Sequence, residues 1–354
     1  MADDDRFGIG MIGLGRWSNA HGDAAARSDA VRIVNCFART PETRADFRQR
    51  YDVAAESTSI EQLLADPAVS GVIISTPNDL HVDHTLACIE AGKSVLVDKP
   101  VAVDTAEGLR LLRAVDVAGV PVGVAHHPRR LAGTRAAKAW IDSGAAGRVR
   151  LAHADFSNNR SSHMKPDAWH RFARGSEAGV LIQVGIHQVE NMLYLLGPAA
   201  EVNARFVHDT LGPTMPDLAA VTITHTSGAV SVVTSSWTTP GYFSIEVLAT
   251  GGNYSFRLDH RKWTSGDVDD FGQAWLHPVD GEPGAHPTVK GDPLREQLEE
   301  LATGHMEVDV AAGLRATMVV EAAIRSAAAN GAPVDLADLL KESGATDAEI
   351  ERLI

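Results

Sequence analysis

Apolar runs of strand length alternate with helical stretches through the first 125 residues, and this constrains the fold more than any other feature of the chain. The runs are Phe7–Ile12, Val31–Phe37, Gly71–Ser75, Ser94–Val97 and Val120–Ala125. Arg44–Tyr51, Ile60–Ala65 and His81–Ala91 lie between them with helical patterning, and Gly92 is a natural stop for the last. Strands that are apolar throughout need cover on both faces. The pattern therefore predicts a parallel sheet with helices on each side.

Beyond residue 125 the pattern changes. Strand signals follow one another at Val149–Phe156, Val202–His208, Val221–Thr226, Val230–Trp237 and Ser244–Thr250. The strict alternation in Val221-Thr222-Ile223-Thr224 suits an antiparallel sheet with one covered face. An apolar helix over Ala178–Leu196 interrupts the series and stops at Gly197-Pro198. Trp263–Pro293, with several Gly and Pro, reads as loop or irregular hairpin. Helical patterning returns at Pro293–Thr303 and Ala311–Asn330, and a short charged helix pair follows Leu336. A chain of 354 residues calls for about two domains. The expected division is 1–125 and 126–354, in the α/β class.

The segment Ile9-Gly10-Met11-Ile12-Gly13-Leu14-Gly15-Arg16-Trp17-Ser18 puts glycines directly after a strand. Gly13 suits the tight turn, and Gly15 lets the backbone approach a pyrophosphate. The helix opened by Arg16 and Trp17 offers free N–H groups and a positive dipole end to that anion. Ser18 stands where a third glycine is usual and should loosen the packing of helix on strand. Dinucleotide sites that select NAD carry an acid at the end of the second strand, about twenty residues on. Here that place reads Phe37-Ala38-Arg39-Thr40. Arg39 can fork two N–H bonds to a 2′-phosphate and Thr40 can add a hydroxyl, so NADP(H) is expected over NAD(H).

Further motifs follow in order: Ser75-Thr76-Pro77-Asn78-Asp79-Leu80-His81, Ala91-Gly92-Lys93-Ser94-Val95-Leu96-Val97-Asp98-Lys99-Pro100 and Gly185-Ile186-His187. With Gly13-Leu14-Gly15 and His21, they resemble the Gfo/Idh/MocA oxidoreductases from Phe7 to about Leu336. The resemblance implies an N-terminal Rossmann domain and a C-terminal α/β domain with a large, mostly antiparallel open sheet. It also implies that this sheet forms a homodimer or homotetramer contact and that the active site lies between the domains. By position, Thr76, Pro77, Asn78 and His81 match the loop beside the nicotinamide half of the cofactor. Asp98-Lys99-Pro100 matches the family's Glu-Lys-Pro with a shorter acid, its lysine near the nicotinamide and the reacting oxygen. His187 matches the active-site histidine, and Trp169 with Arg171 loosely matches a Trp-Arg pair. Four residues before His187, where many members have aspartate, stands Gln183, which can hold a hydroxyl but cannot accept a proton at neutral pH.

Hydride transfer from an alcohol carbon needs a base for the hydroxyl proton and a positive group for the oxygen. Lys99 and His187 suit both tasks by residue type, with Gln183 positioning the substrate. Gln183, His187, Glu190 and Tyr194, spaced four, three and four apart, form one polar stripe on the apolar helix. The stripe reads either as the lining of a site or as the solvated side of an amphipathic helix. His126-His127-Pro128-Arg129-Arg130 reads as a domain-crossing loop with a solvated basic patch. Asn158 and His170 are expected to line the substrate pocket. Trp263 and Trp275 read as loop anchors, or as rings packed over a substrate.

The formal charge of −14 argues against nucleic acid and anionic membrane as partners. No apolar run reaches the roughly 18–20 residues of a membrane span. The acidic start Met1-Ala2-Asp3-Asp4-Asp5 is unlike a secretory signal, so a cytoplasmic protein is expected. Two cysteines, Cys36 and Cys88, build no disulfide framework and read as buried and inert, and no metal site is expected. The expected activity is NADP-dependent oxidation of a CH–OH group in a sugar, inositol or related cyclic polyol, or the reverse reduction. The alternatives are a dihydrodiol dehydrogenase of aromatic catabolism and a non-catalytic NADP sensor on the same fold.

Overall fold

A computed structural model of the chain describes residues 5–165, 168, 171, 174–258 and 272–354. Two compact units result. One comprises 1–102, 107–127 and 292–313, the other 103–106, 128–291 and 314–354.

The first unit alternates strand and helix as the apolar runs require. Its elements are β1 (Phe7–Ile12), α1 (Arg16–Ala25), β2 (Val31–Phe37), α2 (Pro41–Tyr51), β3 (Ala55–Glu56) and α3 (Ile60–Leu64). After these come β4 (Gly71–Ile74), α4 (His81–Glu90), β5 (Ser94–Asp98), α5 (Thr105–Ala118) and β6 (Val122–Ala125). The strands lie in the order β3-β2-β1-β4-β5-β6, all parallel. Ile9, Met11, Ile73 and Leu96 are 1 % exposed or less because helices cover the sheet. Part of that cover comes from far along the chain. Leu294, Leu298 and Leu301 of the helix Pro293–Thr303 join this same core, so the segment belongs to the first unit. Each such leucine buried contributes about 1.5–3 kcal/mol.

The second unit begins with α6 (Ala132–Asp142) and β7 (Val149–Ser157), then α7 (Ile186–Leu196), β8 (Ala199–Val207), β9 (Leu218–His225) and β10 (Val230–Ser236). There follow β11 (Tyr242–Ala249), β12 (Gly252–Leu258), β13 (Gly272–Pro278), β14 (Gly284–Ala285) and β15 (Val334–Asp335). Among the described residues its sheet has nine strands in the order β14-β13-β12-β11-β7-β10-β9-β8-β15, antiparallel except for β7 with β10. Ala152, Ala154 and Phe156 of β7 are buried on the face that carries α7. Alternate positions leave Leu151, Val207, Tyr242, Leu248 and Trp275 exposed. Of the loop or irregular hairpin expected over Trp263–Pro293, the hairpin is found, since β13, which carries Trp275, pairs antiparallel with β14; Trp263 lies outside the described residues.

The helix expected over Ala178–Leu196 is broken up. A 3₁₀ turn at Ser176–Ala178 leads into a π-helical turn at Leu181–Gly185, and α7 proper starts at Ile186. Closely packed glycines flank the break. A Cβ on Gly179, whose φ is +46°, would fall 2.0 Å from the Pro216 carbonyl oxygen. One on Gly185 would fall 2.5 Å from Ser235 Oγ of β10. No helix among the described residues is long and apolar enough to cross a membrane.

Candidate functional site

The turn from β1 to α1 is built by two glycines with different duties. Gly13 has φ +88°, and a Cβ there would stand 2.5 Å from the Ser75 carbonyl oxygen. The turn is thus pressed against the end of β4, and only glycine fits. Gly15 has open space around its absent Cβ and caps α1 without a side-chain hydrogen bond. The first N–H groups of α1 therefore have an unobstructed approach, as an anion at a helix start requires. Ser18 does not loosen the packing as expected. It is fully buried and donates from Oγ to the Gly15 carbonyl at 2.5 Å. Close approach to the helix is made instead at Gly22, where a Cβ would meet the Tyr51 ring at 2.5 Å. Arg16 is exposed, and Trp17 lies against His127 with ring centroids 5.4 Å apart.

At the end of β2, Arg39 and Thr40 are exposed, and Thr40 caps α2 without using its hydroxyl. Arg44, expected only as the start of a helix, is buried beneath them. Its guanidinium donates to the carbonyls of Ala38 at 2.8 Å and Arg39 at 3.4 Å, so it shapes the loop that presents Arg39.

The ends of β4 and β5 meet around Asp98. Its carboxylate accepts from His21 Nε2 at 2.9 Å and from Ser75 Oγ at 2.5 Å. Burial raises the Asp98 pKa, but the charge and hydrogen bond of His21, the Ser75 hydroxyl and the charge of His81 outweigh it and hold the carboxyl below its usual range. Lys99 follows, half-buried, at the carboxyl edge of the sheet, where open α/β sheets bind ligands. Thr76 and Pro77 are half-buried in the loop after β4, and Asn78, buried, opens a 3₁₀ turn. His81 does not line an open surface. It is 1 % exposed, with Nδ1 2.6 Å from the Pro100 carbonyl and Nε2 2.9 Å from the Thr76 carbonyl.

In the second unit Gln183 is half-buried on the π-helical turn, and His187, in the first turn of α7, is 3 % exposed with its ring centroid 6.2 Å from that of Phe156. Glu190 is 1 % exposed and paired with Arg129, whose guanidinium also lies 4.5 Å from the Tyr194 ring centroid. Within the polar stripe His187 and Glu190 are therefore interior, and Gln183 and Tyr194 are half-buried. The basic run is corrected in the same way: His126, His127, Arg129 and Arg130 are all buried. Asn158 serves its own turn, its Oδ1 accepting from the Arg160 N–H at 3.1 Å. Arg171 donates to the Leu211 carbonyl at 2.8 Å, while Trp169 and His170 lie outside the described residues. Cys36 and Cys88 are buried, and burial pushes their thiols up to about 11 and about 12. No cluster that could hold a metal ion occurs among the described residues.

A parallel sheet in the order 3-2-1-4-5-6, with a glycine turn and an open helix start at its central edge, defines a dinucleotide-binding Rossmann unit. Its union with a nine-stranded, mostly antiparallel sheet narrows the class further. Residues 7–126 match the model of the oxidoreductase family with an NAD-binding Rossmann fold, and residues 134–255 match the Gfo/Idh/MocA C-terminal domain. The chain belongs to the Gfo/Idh/MocA oxidoreductase family. The crystal structure of a Desulfitobacterium hafniense chain assigned as an NADPH-dependent oxidoreductase is 30% identical, with a TM-score of 0.89 over 95% of this chain and 99% of that one. A scyllo-inositol 2-dehydrogenase (NADP(+)) of Bacillus subtilis is 31% identical over 202 residues, covering 56% of this chain and 54% of that protein. A 1,5-anhydro-D-fructose reductase of Ensifer adhaerens is 29% identical over 187 residues, covering 53% and 56%. The chain thus spans about half the length of these curated relatives.

Proposed function

We propose that this protein is an NADP(H)-dependent oxidoreductase acting on a secondary alcohol, or the matching ketone, of a sugar, inositol or related cyclic polyol. The observation that carries the reading is Lys99, set at the carboxyl edge of β5 behind an ionised Asp98, on the same sheet as the open glycine turn. The relatives that act on an inositol and an anhydrosugar support the substrate class.

The residues present fit a dinucleotide. Gly13, Gly15 and the start of α1 would hold its pyrophosphate, with Arg16 and Trp17 flanking it. Arg39 and Thr40 would take the 2′-phosphate, since no carboxylate occupies the Phe37–Thr40 turn. Thr76, Pro77 and Asn78 would flank the nicotinamide half, with Asp98 and His81 holding that loop to β5 from behind. When bound, the nicotinamide supplies or accepts the hydride. Lys99 and His187 are the proton-handling pair of this reading: the lysine polarises the substrate oxygen and the imidazole relays its proton, for about 10²–10⁴-fold in rate. Gln183 donates to or accepts from a substrate hydroxyl without changing charge. Asn158 and His170 complete the substrate contacts of this reading. The exposed face bearing Leu151, Val207, Tyr242, Leu248 and Trp275 would carry a homodimer or homotetramer contact, and the protein would work in the cytoplasm.

The test is a cofactor-reduction screen with NADP⁺ and NAD⁺ against sugars, inositols and dihydrodiols. Turnover of a polyol with NADP⁺ is expected, abolished to within about 10²-fold of background by Lys99→Ala. Arg39→Asp should shift preference toward NAD⁺. An unchanged cofactor ratio in that variant refutes the NADP assignment. Tight NADP binding without turnover across the panel would make the protein a sensor, and turnover confined to dihydrodiols would move the substrate class.

A further inference from the structure

His81 is an odd group to find between two loops. Its imidazole is buried, and each ring nitrogen faces a backbone carbonyl, Pro100 at 2.6 Å and Thr76 at 2.9 Å. A carbonyl only accepts hydrogen bonds. A neutral imidazole has one N–H and one bare lone pair, so it can serve one of these oxygens and must oppose the other. Only the imidazolium donates to both.

Of the charges around it, Asp98 favours that form and Lys99 opposes it. The titratable groups that face His81 are Asp98 and Lys99 at the end of β5 and His84 further along α4. Asp98 is ionised, and its hydrogen bonds come from His21 Nε2 and the Ser75 hydroxyl. His21 and His81 both lie close enough to Asp98 to favour its charged form. Burial, with the charge of Lys99, holds the His81 pKa below the ordinary histidine value against the opposite pull of the Pro100 carbonyl, Asp98 and the Thr76 carbonyl. The two short contacts favour the charged form, because deprotonation would turn one of them into a repulsion between lone pairs.

We propose that His81 is held as an imidazolium that clasps the Thr76 loop to Pro100 and so positions the adjacent Lys99 while biasing it against its own positive charge. The clasp itself stands on the geometry; its effect on Lys99 rests on the function proposed above. His81 is a positioning residue in this scheme. It touches neither reacting atom, and its charge acts through Lys99. Removing a cation beside an ammonium makes the ammonium hold its proton more tightly.

The deciding experiment is two-bond ¹⁵N–¹H correlation on the full chain labelled with ¹⁵N-histidine, with His81 assigned by its loss in His81→Gln. Both His81 nitrogens should carry protons across about pH 6 to 8, where exposed histidines titrate. A single protonated nitrogen throughout that range, or titration in step with the exposed histidines, overturns the clasp. This readout needs no substrate, so it decides even if no alcohol is turned over. Where turnover is found, His81→Gln should move the alkaline limb of the kcat/KM profile, set by loss of the Lys99 proton, up by about one pH unit. An unmoved limb in a folded His81→Gln protein overturns the tuning of Lys99.

Discussion

The two glycines of the β1–α1 turn should fail in opposite ways when each is given a methyl group. In Gly13→Ala the new Cβ would stand 2.5 Å from the Ser75 carbonyl oxygen, 2.7 Å from its carbon and 2.8 Å from Thr76 Cγ2. The first two atoms are backbone at the end of β4 and cannot swing aside. The residue would also sit at φ +88°, which costs an alanine about 1–2 kcal/mol before any clash. Overpacking adds about 1–3 kcal/mol, so a loss of about 2–5 kcal/mol in stability is expected. Gly15→Ala meets nothing within 4 Å and has φ −86°, so its stability should change by less than about 0.5 kcal/mol. Its methyl group would instead occupy the space a pyrophosphate needs against the start of α1. If displacing the anion costs about 1.4–3 kcal/mol, the dinucleotide Kd rises about tenfold to a hundredfold. Urea denaturation measures the first quantity and nucleotide fluorescence titration the second. A Gly15→Ala protein that binds NADPH like the parent, or a Gly13→Ala protein of parental stability, would refute the division of labour between them.

Two further outcomes test the second unit. Glu190→Gln leaves the Arg129 guanidinium buried without its carboxylate, and breaking such a pair costs about 3–5 kcal/mol, read as a fall in the urea midpoint. A loss under about 1 kcal/mol would mean that the pair is not a structural clasp. Asp217 is 1 % exposed and accepts from the N–H groups of Asp209, Thr210 and Leu211 and from the Thr210 hydroxyl at 2.6 Å. Burial raises its pKa, but these hydrogen bonds outweigh burial and hold it below the ordinary carboxylate value. Its stabilisation is therefore full above the unfolded pKa of about 3.9 and is lost as pH falls through the lower folded value. The stability gap between parent and Asp217→Asn should close on acidification, and a gap independent of pH would contradict this.

The first unit was legible because its strands are apolar on both faces, and such runs leave little choice of neighbour. Even α2 begins where a helix start favours proline, at Pro41, three residues before the expected Arg44. What escaped were contacts between residues far apart in sequence. Arg129 and Arg130 carry every mark of a solvated patch, yet Glu190 neutralises Arg129 from 61 residues away. The π-helical turn around Gln183 lies between Gly179 and Gly185, where Pro216 and Ser235 leave no room for a side chain, and no local periodicity encodes that. The irregular hairpin of β13 and β14 was legible from its Gly and Pro residues only as one alternative to a loop, since the pairing of β13 with β12 is set by the sheet. The motif at Thr76–His81 was legible as a motif. That its histidine holds two carbonyls was not, because Pro100 lies 19 residues further on.

The distribution of carboxyl groups narrows where a substrate proton can go. In the proposed reaction Gln183 would stand where the family resemblance expects a carboxylate, and an amide does not take a proton at neutral pH. Asp98 is a carboxylate next to Lys99, but it is poorly suited to the role. Both of its oxygens are engaged, by His21 and Ser75, and its pKa lies below the usual carboxyl range. A group so placed holds its neighbours and gives up little by staying ionised, so protonating it would cost both hydrogen bonds and the charge balance with His81. The shorter acid also suits this site: at 2.5 Å from Ser75 Oγ and 2.9 Å from His21 Nε2, an extra methylene would push the carboxylate into its own donors. With the amide unable and the aspartate committed, proton transfer in the proposed reaction falls to nitrogen bases. That makes the charge state of the residues around Lys99, His81 foremost, the quantity on which its rate should depend.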